Sequence, residues 1–379
     1  MSGLMQVIIS VGSKFWAYHT SRAAQQAGYL KHFITTVYDE TEVGIDRARV
    51  TELRLPDWIG RALRRMPGVN RLVPWNWVKD NLFDLMAVRH VSECDIFHVW
   101  NNYGLFSLRK AKRLGATVIV ERGSTHPLTQ QRLLQEEYAR WGVRFPATNR
   151  RLLGKQLQEL AEADYIYIPS AFVRRSMIEE GISAEKLIEI PFGANLSLFQ
   201  PALCQDDLFR ILFVGTVSLR KGIPYLLEAM HKLNLARIEL LLVGHISEDA
   251  KSVLAKYSDL FRAIGPVSHE ELPAHYARGS IFVLPSIEEG SALVTYEAMA
   301  SGLPLIVTTN TGSVVRDGVD GFVVPIRDAG ALAEKIQFFY ENEESRRTMG
   351  AAAREYVQQF TWERYGKQVM AAYRRMETA

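Results

Sequence analysis

The feature that most constrains this chain is one pattern repeated through both halves: a short apolar run, a turn, then a stretch of helical periodicity. In the first half the apolar runs are Val7–Ser10, Lys31–Thr35, Ile96–Val99, Thr117–Glu121, Tyr165–Ile168 and Leu187–Ile190. In the second half they are Arg210–Val214, Arg237–Val243, Arg262–Ile264, Ile281–Leu284, Leu305–Thr308 and Gly321–Val324. Short apolar runs alternating with helices predict strands buried on both faces, the condition of a parallel sheet covered by helices. The expected fold class is therefore α/β, with two doubly wound Rossmann-like domains and ligands beyond the carboxyl ends of the strands.

The break between the halves is expected after Leu187–Ile190. There Pro191-Phe192-Gly193-Ala194-Asn195 leads into Phe199–Asp207, which has no periodicity. This divides the chain into an N-terminal domain, 1–200, and a C-terminal domain, 201–360. Residues 361–379 form a last helix, with Thr361 as its N-cap.

At 379 residues, 47% hydrophobic and 23% charged, the chain has the composition of two globular domains of ordinary size. A net charge of +3 gives no ground for nucleic acid binding. No apolar run approaches the ~18 residues of a membrane span, and the N-terminus lacks the pattern of a signal peptide. The two cysteines, Cys94 and Cys204, stand in no metal-like spacing, which suits a reducing cytoplasm and small core thiols. From Trp58 to Lys79, Arg61, Arg64, Arg65, Arg71 and Lys79 interleave with Trp58, Trp75 and Trp77, without an acid. Two readings stay open: peripheral contact with an anionic membrane surface, or a solvated basic helix with its tryptophans tucked inward.

The richest chemistry lies in Pro285–Pro304. Glu289 stands at the mouth of a turn of small residues, Gly290-Ser291-Ala292, and Glu297 follows on the next helix, eight residues on. Backbone N–H groups at a helix N-terminus favour an anion, and carboxylates suit sugar hydroxyls, so the segment is expected to meet a nucleotide sugar. Upstream, Arg220 and Lys221 follow a predicted strand and could neutralise a diphosphate, Arg as a bidentate fork and Lys as a point charge. Gly12, in the turn Val11-Gly12-Ser13 after the first strand, would allow close backbone approach.

This constellation closely resembles retaining glycosyltransferase family 4, of the two-domain GT-B type. The resemblance extends through Gly215 to Lys221-Gly222, Leu241-Leu242-Val243-Gly244, Gly265-Pro266-Val267 and Asp317–Pro325. It also takes in Ala163-Asp164, Ser170, Ile190–Asn195 and Phe199 at the exit of the first domain, covering most of the chain from about Glu159 onward.

The resemblance implies two domains facing a cleft, the first binding the acceptor and the second a UDP- or GDP-sugar, with the last helix returning to the first domain. Glu289, Lys221, Arg220 and His126 would be catalytic. Gly12, Gly215, Thr216, Val267, Gly290, Ser291, Ala292, Leu293 and Glu297 would bind the donor, with Glu297 on the ribose and Val267 near the base. Ser13 and Arg122 would meet the acceptor, a glycan, lipid-linked glycan or other hydroxyl compound. No cofactor is implied and no metal, since Asp-x-Asp is absent and the histidines show no ligand spacing. Cell-surface polysaccharide synthesis in the cytoplasm or at the inner membrane face is the expected setting.

Thr216 stands where the family commonly has arginine, and Arg220 is the candidate to replace it. The main alternative is a non-catalytic GT-B protein that binds a sugar nucleotide or glycan within a complex. A dinucleotide-dependent oxidoreductase would want G-x-G-x-x-G, and a P-loop NTPase G-x-x-x-x-G-K-[ST]; the chain has neither after its opening strands.

Overall fold

The structure is a computed structural model that describes residues 4–39, 44–65, 75–201, 208–233 and 235–377. Thirteen strands lie in two parallel sheets among these residues. The first holds β1 (Val7–Val11), β2 (Leu30–Thr35), β3 (Val50–Glu52), β4 (Ile96–Trp100), β5 (Thr117–Glu121), β6 (Tyr165–Ile168) and β7 (Leu187–Glu189), in the order 3-2-1-4-5-6-7. The second holds β8 (Phe209–Val214), β9 (Ile238–Val243), β10 (Arg262–Gly265), β11 (Ile281–Leu284), β12 (Leu305–Thr308) and β13 (Gly321–Val324), in the order 10-9-8-11-12-13. Both orders reverse direction beside their first strand, as doubly wound sheets do, and the crevice at that reversal is where such folds take ligands.

The apolar runs fill the core as their sequence requires. β1, β4, β8 and β11 are buried at every residue, because helices cover both faces. β3 was not expected: three residues on the sheet edge carry no periodicity to read, yet Phe33 and Ile34 pair in register with Val50 and Thr51.

The last helix, Trp362–Glu377, returns to the first domain. Thr361 Oγ1 caps it by accepting from Arg364 N at 3.2 Å. Its buried Tyr365 hydroxyl lies 3.1 Å from Thr20 Oγ1, and Tyr373 OH lies 2.6 Å from His98 Nδ1. The two chain crossings run side by side, with Ala194 N donating to Phe360 O at 3.0 Å. Gly193 packs so closely on Thr361 and Trp362 that a Cβ would strike their backbone. Of the expected linker, residues 202–207, Cys204 among them, lie outside the described residues. Cys94 is half-buried, and burial pushes its thiol up to about 11.

One helix departs from the two-halves reading. Pro127–Arg140 belongs to the first half by sequence, but its Leu133 is buried in the second core. Glu137, on the same helix, accepts from Arg327 Nε of the second half at 2.8 Å.

In the Trp58–Lys79 segment, Trp58 is 65% exposed beside the exposed Leu55. Lys79 turns inward, 3.8 Å from Asp57 and 3.7 Å from Asp80, the acids that flank the basic run. The side chains of Arg64, Arg65 and Arg71 lie outside the described residues. No described helix is long and apolar enough to cross a membrane.

Candidate active site

The expected donor residues of the second half lie after the carboxyl ends of β8, β10 and β11, while Gly12 lies after β1 in the first domain. β8 is followed by Gly215, with φ +137° and open space where a Cβ would stand. Gly265, at the end of β10, has φ +85° and the same open space. A side chain is strained at such angles, so glycine keeps these strand ends bare. Thr216 is exposed after Gly215, and Val267 is half-buried in the loop after β10.

The charged heart of the site is a chain of four residues. Arg220 Nε donates to Glu288 Oε2 at 2.9 Å, and Arg220 Nη2 to Glu289 Oε1 at 3.2 Å. Lys221 Nζ closes on Glu289 Oε2. Burial alone would lower the Arg220 pKa, but Glu288 and Glu289 reverse that and raise it. Arg220 is therefore held charged and paired at the end of β8.

Glu288 is the residue that sequence reasoning passed over. It is fully buried and reaches across the cleft, accepting from Thr125 Oγ1 at 2.7 Å and Gln130 Nε2 at 3.0 Å. Burial pushes its carboxyl up, yet Arg220, the bonds from Gln130 and Thr125, and the Arg122 charge together hold it below the usual range. Its position beside Glu289 was visible in the sequence. Its partners, some 160 residues away in the chain, were not.

Gly290 has a second task. A Cβ there would collide with the Gly123 carbonyl, while Gly290 O accepts from Ser170 Oγ at 2.6 Å. The glycine thus lets the first domain's β5 loop lie directly on the turn that opens the helix Leu293–Ala300. Ser291 lies behind it, its hydroxyl 3.1 Å from Tyr296 OH, and Ala292 is the N-cap residue. The N–H groups of Gly290, Ser291, Ala292 and Leu293 have no acceptor among the described residues, and a helix N-terminus of this kind favours an anion.

Glu297 is nearly buried on that helix. Tyr276 OH donates to its Oε2 at 2.8 Å, and His269 Nε2 stands 3.3 Å from its Oε1. Burial raises its pKa against the opposing pull of Tyr276 and His269. Neither of those partners was predicted.

On the facing wall, Arg122 is buried and spends its three nitrogens on Thr125 O (3.0 Å), Asn101 Oδ1 (2.9 Å) and Gln130 Oε1 (3.1 Å). Burial lowers its pKa to about 10. His126 follows Thr125 but makes no hydrogen bond to the ion cluster among the described residues. Its Nδ1 accepts from Leu128 N at 3.4 Å, capping the helix Pro127–Arg140, and its own N–H donates to Ser176 Oγ at 3.0 Å. Burial lowers its pKa to about 4, so the ring is neutral at ordinary pH. Gly12 faces a protein ring: a Cβ there would strike Tyr103. Ser13 is half-buried in the same turn. No group of three or more His, Cys, Asp or Glu side chains suited to a metal ion occurs among the described residues.

Residues 209–342 match the family described as glycosyl transferases group 1. Two curated relatives illustrate the likeness. A D-inositol 3-phosphate glycosyltransferase of Geodermatophilus obscurus is 30% identical over 256 residues, 60% of this chain and 56% of that one. A sulfoquinovosyl transferase of Arabidopsis thaliana is 28% identical over 53% of this chain and 42% of that one. The chain thus spans about half the length of these relatives.

Among solved structures, sucrose-phosphate synthase from Thermosynechococcus elongatus superposes with a TM-score of 0.72 at 22% identity, covering 98% of this chain and 99% of that one. Anabaena HepE in complex with UDP gives 0.67 at 15% identity, with 97% and 99% covered. These likenesses are in fold: two Rossmann-like domains in the GT-B arrangement. The domain at 209–342 is thus similar to the group 1 glycosyl transferases.

Proposed function

We propose that the chain is a retaining glycosyltransferase, moving a sugar from a UDP- or GDP-sugar to a hydroxyl of a glycan or lipid-linked acceptor in cell-surface polysaccharide synthesis. The observation that carries this reading is the Arg220–Glu289–Lys221 cluster at the end of β8, with the bare N–H groups of the Leu293–Ala300 helix in the neighbouring turn. Departure of a nucleoside diphosphate develops one further negative charge on its β-phosphate, and preorganised cations and amides stabilise that charge without rearranging.

Lys221 and Arg220 take the diphosphate in this account. Glu289 faces the sugar, Glu297 holds the ribose and the Gly265–Val267 loop seats the base. The leaving phosphate oxygen accepts the proton of the acceptor hydroxyl on the same face of the sugar, so configuration is retained without a protein nucleophile. The chemistry requires no metal, because fixed cations neutralise the leaving group. Packing of Gly123 on Gly290 excludes water from the transfer. The exposed Trp58 and Leu55 would place the first domain against an anionic membrane surface.

Thermal shift against UDP, GDP and ADP tests the donor half. One nucleotide should raise the melting temperature in proportion to the logarithm of its concentration, by mass action. No shift with any of them removes the reading.

A further inference from the structure

The loop that carries Arg220 and Lys221 is held from two sides. On the side of β11, Ile287 N donates to Arg220 O at 2.9 Å, and the Arg220 guanidinium meets Glu288 and Glu289. On the side of β9, Val217 pairs with Ile246. Leu219, fully buried and one residue before Arg220, donates its amide to Asp249 Oδ2 at 3.1 Å. Asp249 lies in the short turn Glu248–Ala250 after β9, and Ser247 Oγ donates to its other oxygen. An amide bonded to a carboxylate makes a charge-assisted hydrogen bond, about twice as strong as one to a neutral acceptor.

The same Asp249 Oδ2 accepts from Tyr138 OH at 2.7 Å. Tyr138 belongs to the helix Pro127–Arg140, which spans the two domains. Its start is tied to the first, with His126 N donating to Ser176 Oγ at 3.0 Å and Thr129 Oγ1 to Glu180 Oε1 at 2.8 Å. Its later turns are tied to the second. Arg327 spends its nitrogens there, on Glu137 Oε2 (2.8 Å), Glu136 Oε2 (3.1 Å) and Leu133 O (3.2 Å). Arg327 does this from φ +63°, a strained angle for a side chain that persists where surrounding structure enforces it. Tyr225 OH adds a bond to Glu137 at 3.2 Å. A single carboxylate oxygen therefore joins the spanning helix to the backbone beside the leaving-group cations.

We infer that Asp249 is a positioning residue for transfer: it sets where Arg220 and Lys221 stand, and Tyr138 makes that setting depend on the helix that spans the domains. Asp249 acts through the Leu219 amide and not on the substrate. The inference rests on the transferase reading and names the residue that orients its cations.

Nucleotide release from the matching nucleotide sugar tests this, with wild type and variants compared as full chains. Turnover is counted per binding site, titrated calorimetrically with whichever of UDP, GDP and ADP stabilises the wild type, so protein that fails to fold is not counted. Asp249→Ala frees the Leu219 amide. Its turnover per site should fall about thirtyfold to a hundredfold, the scale that a misplacement of about 1 Å costs. Asp249→Asn keeps an acceptor for Leu219 N and should return turnover to within about fivefold of the wild type. Tyr138→Phe keeps the ring against Phe145 and removes only the hydroxyl. Its turnover should fall about fivefold, the equivalent of one net hydrogen bond, with acceptor KM changed less than about twofold.

A bond that serves stability alone would lower the melting temperature of Asp249→Ala and leave turnover per site at the wild-type value, and that result overturns the inference. So does a Tyr138→Phe variant that turns over as the wild type does, or an Asp249→Asn variant as impaired as Asp249→Ala. A wild type that binds none of the three nucleotides strikes the transferase reading and takes this inference with it, so the two failures are distinguishable.

Discussion

Arg220 and Glu288 are joined twice: the guanidinium Nε lies 2.9 Å from the Glu288 carboxylate and 3.0 Å from the Glu288 carbonyl oxygen. This double hold fixes the Arg220 side chain against β11's loop and leaves Nη2 for Glu289. The same carboxylate takes Thr125 and Gln130 from the other domain, so one buried group orients Arg220 and bridges the two domains.

Glu288→Gln removes the charge while keeping the shape. Arg220 then loses its buried counter-ion, which costs on the order of 3 kcal/mol of stability, measurable by chemical denaturation. The pH sign follows from the depressed folded pKa. Glu288 contributes its stability in full above the ordinary carboxyl value of 4.5, and loses it as pH falls through the lower folded value. The wild type should therefore lose stability below about pH 4.5 more steeply than the variant.

Glu289→Gln should separate binding from turnover. The wild-type carboxylate competes with a diphosphate for Lys221 and Arg220, so its neutralisation should tighten nucleoside diphosphate binding several-fold. Transfer should fall at least a hundredfold, on the order of what loss of one preorganised electrostatic contact costs. Calorimetry with the nucleotide and product release from the donor give the two numbers.

Gly290→Ala tests the seam. The added methyl collides with the Gly123 carbonyl across the cleft, but has no positive φ to strain within its own loop. Nucleotide affinity should survive within a few-fold, transfer should fall sharply, and small-angle scattering should report a more open pair of domains. A variant that transfers normally would show that this contact does not matter to turnover.

The central strands were legible because helices cover both faces of the sheets there, so β1, β4, β8 and β11 are buried throughout and read as mostly apolar runs. Val50–Glu52 was not, being three half-polar residues on an edge. In the site, Lys221, Arg220 and Glu289 were readable from their loops, and the structure brings them into one cluster. Glu288 was hidden because a buried carboxylate is recognised by its partners, and those come from another domain. Gly290 was read as room for a ligand, whereas the structure shows it also makes room for Gly123. His126 was read as chemistry, and its visible bonds are those of a helix cap. At Gly12, expected to allow close backbone approach, a Cβ would strike the ring of Tyr103. A lone glycine or histidine after a strand does not reveal what will pack against it.

The central claim is that Lys221 and its neighbours stabilise a departing nucleoside diphosphate. The most direct test is nucleotide release from the matching nucleotide sugar in the presence of acceptor, wild type against Lys221→Ala. Turnover should fall by about a hundredfold or more, with acceptor KM changed less than about threefold. An equal loss in acceptor binding, or turnover within a few-fold of the wild type, would contradict it.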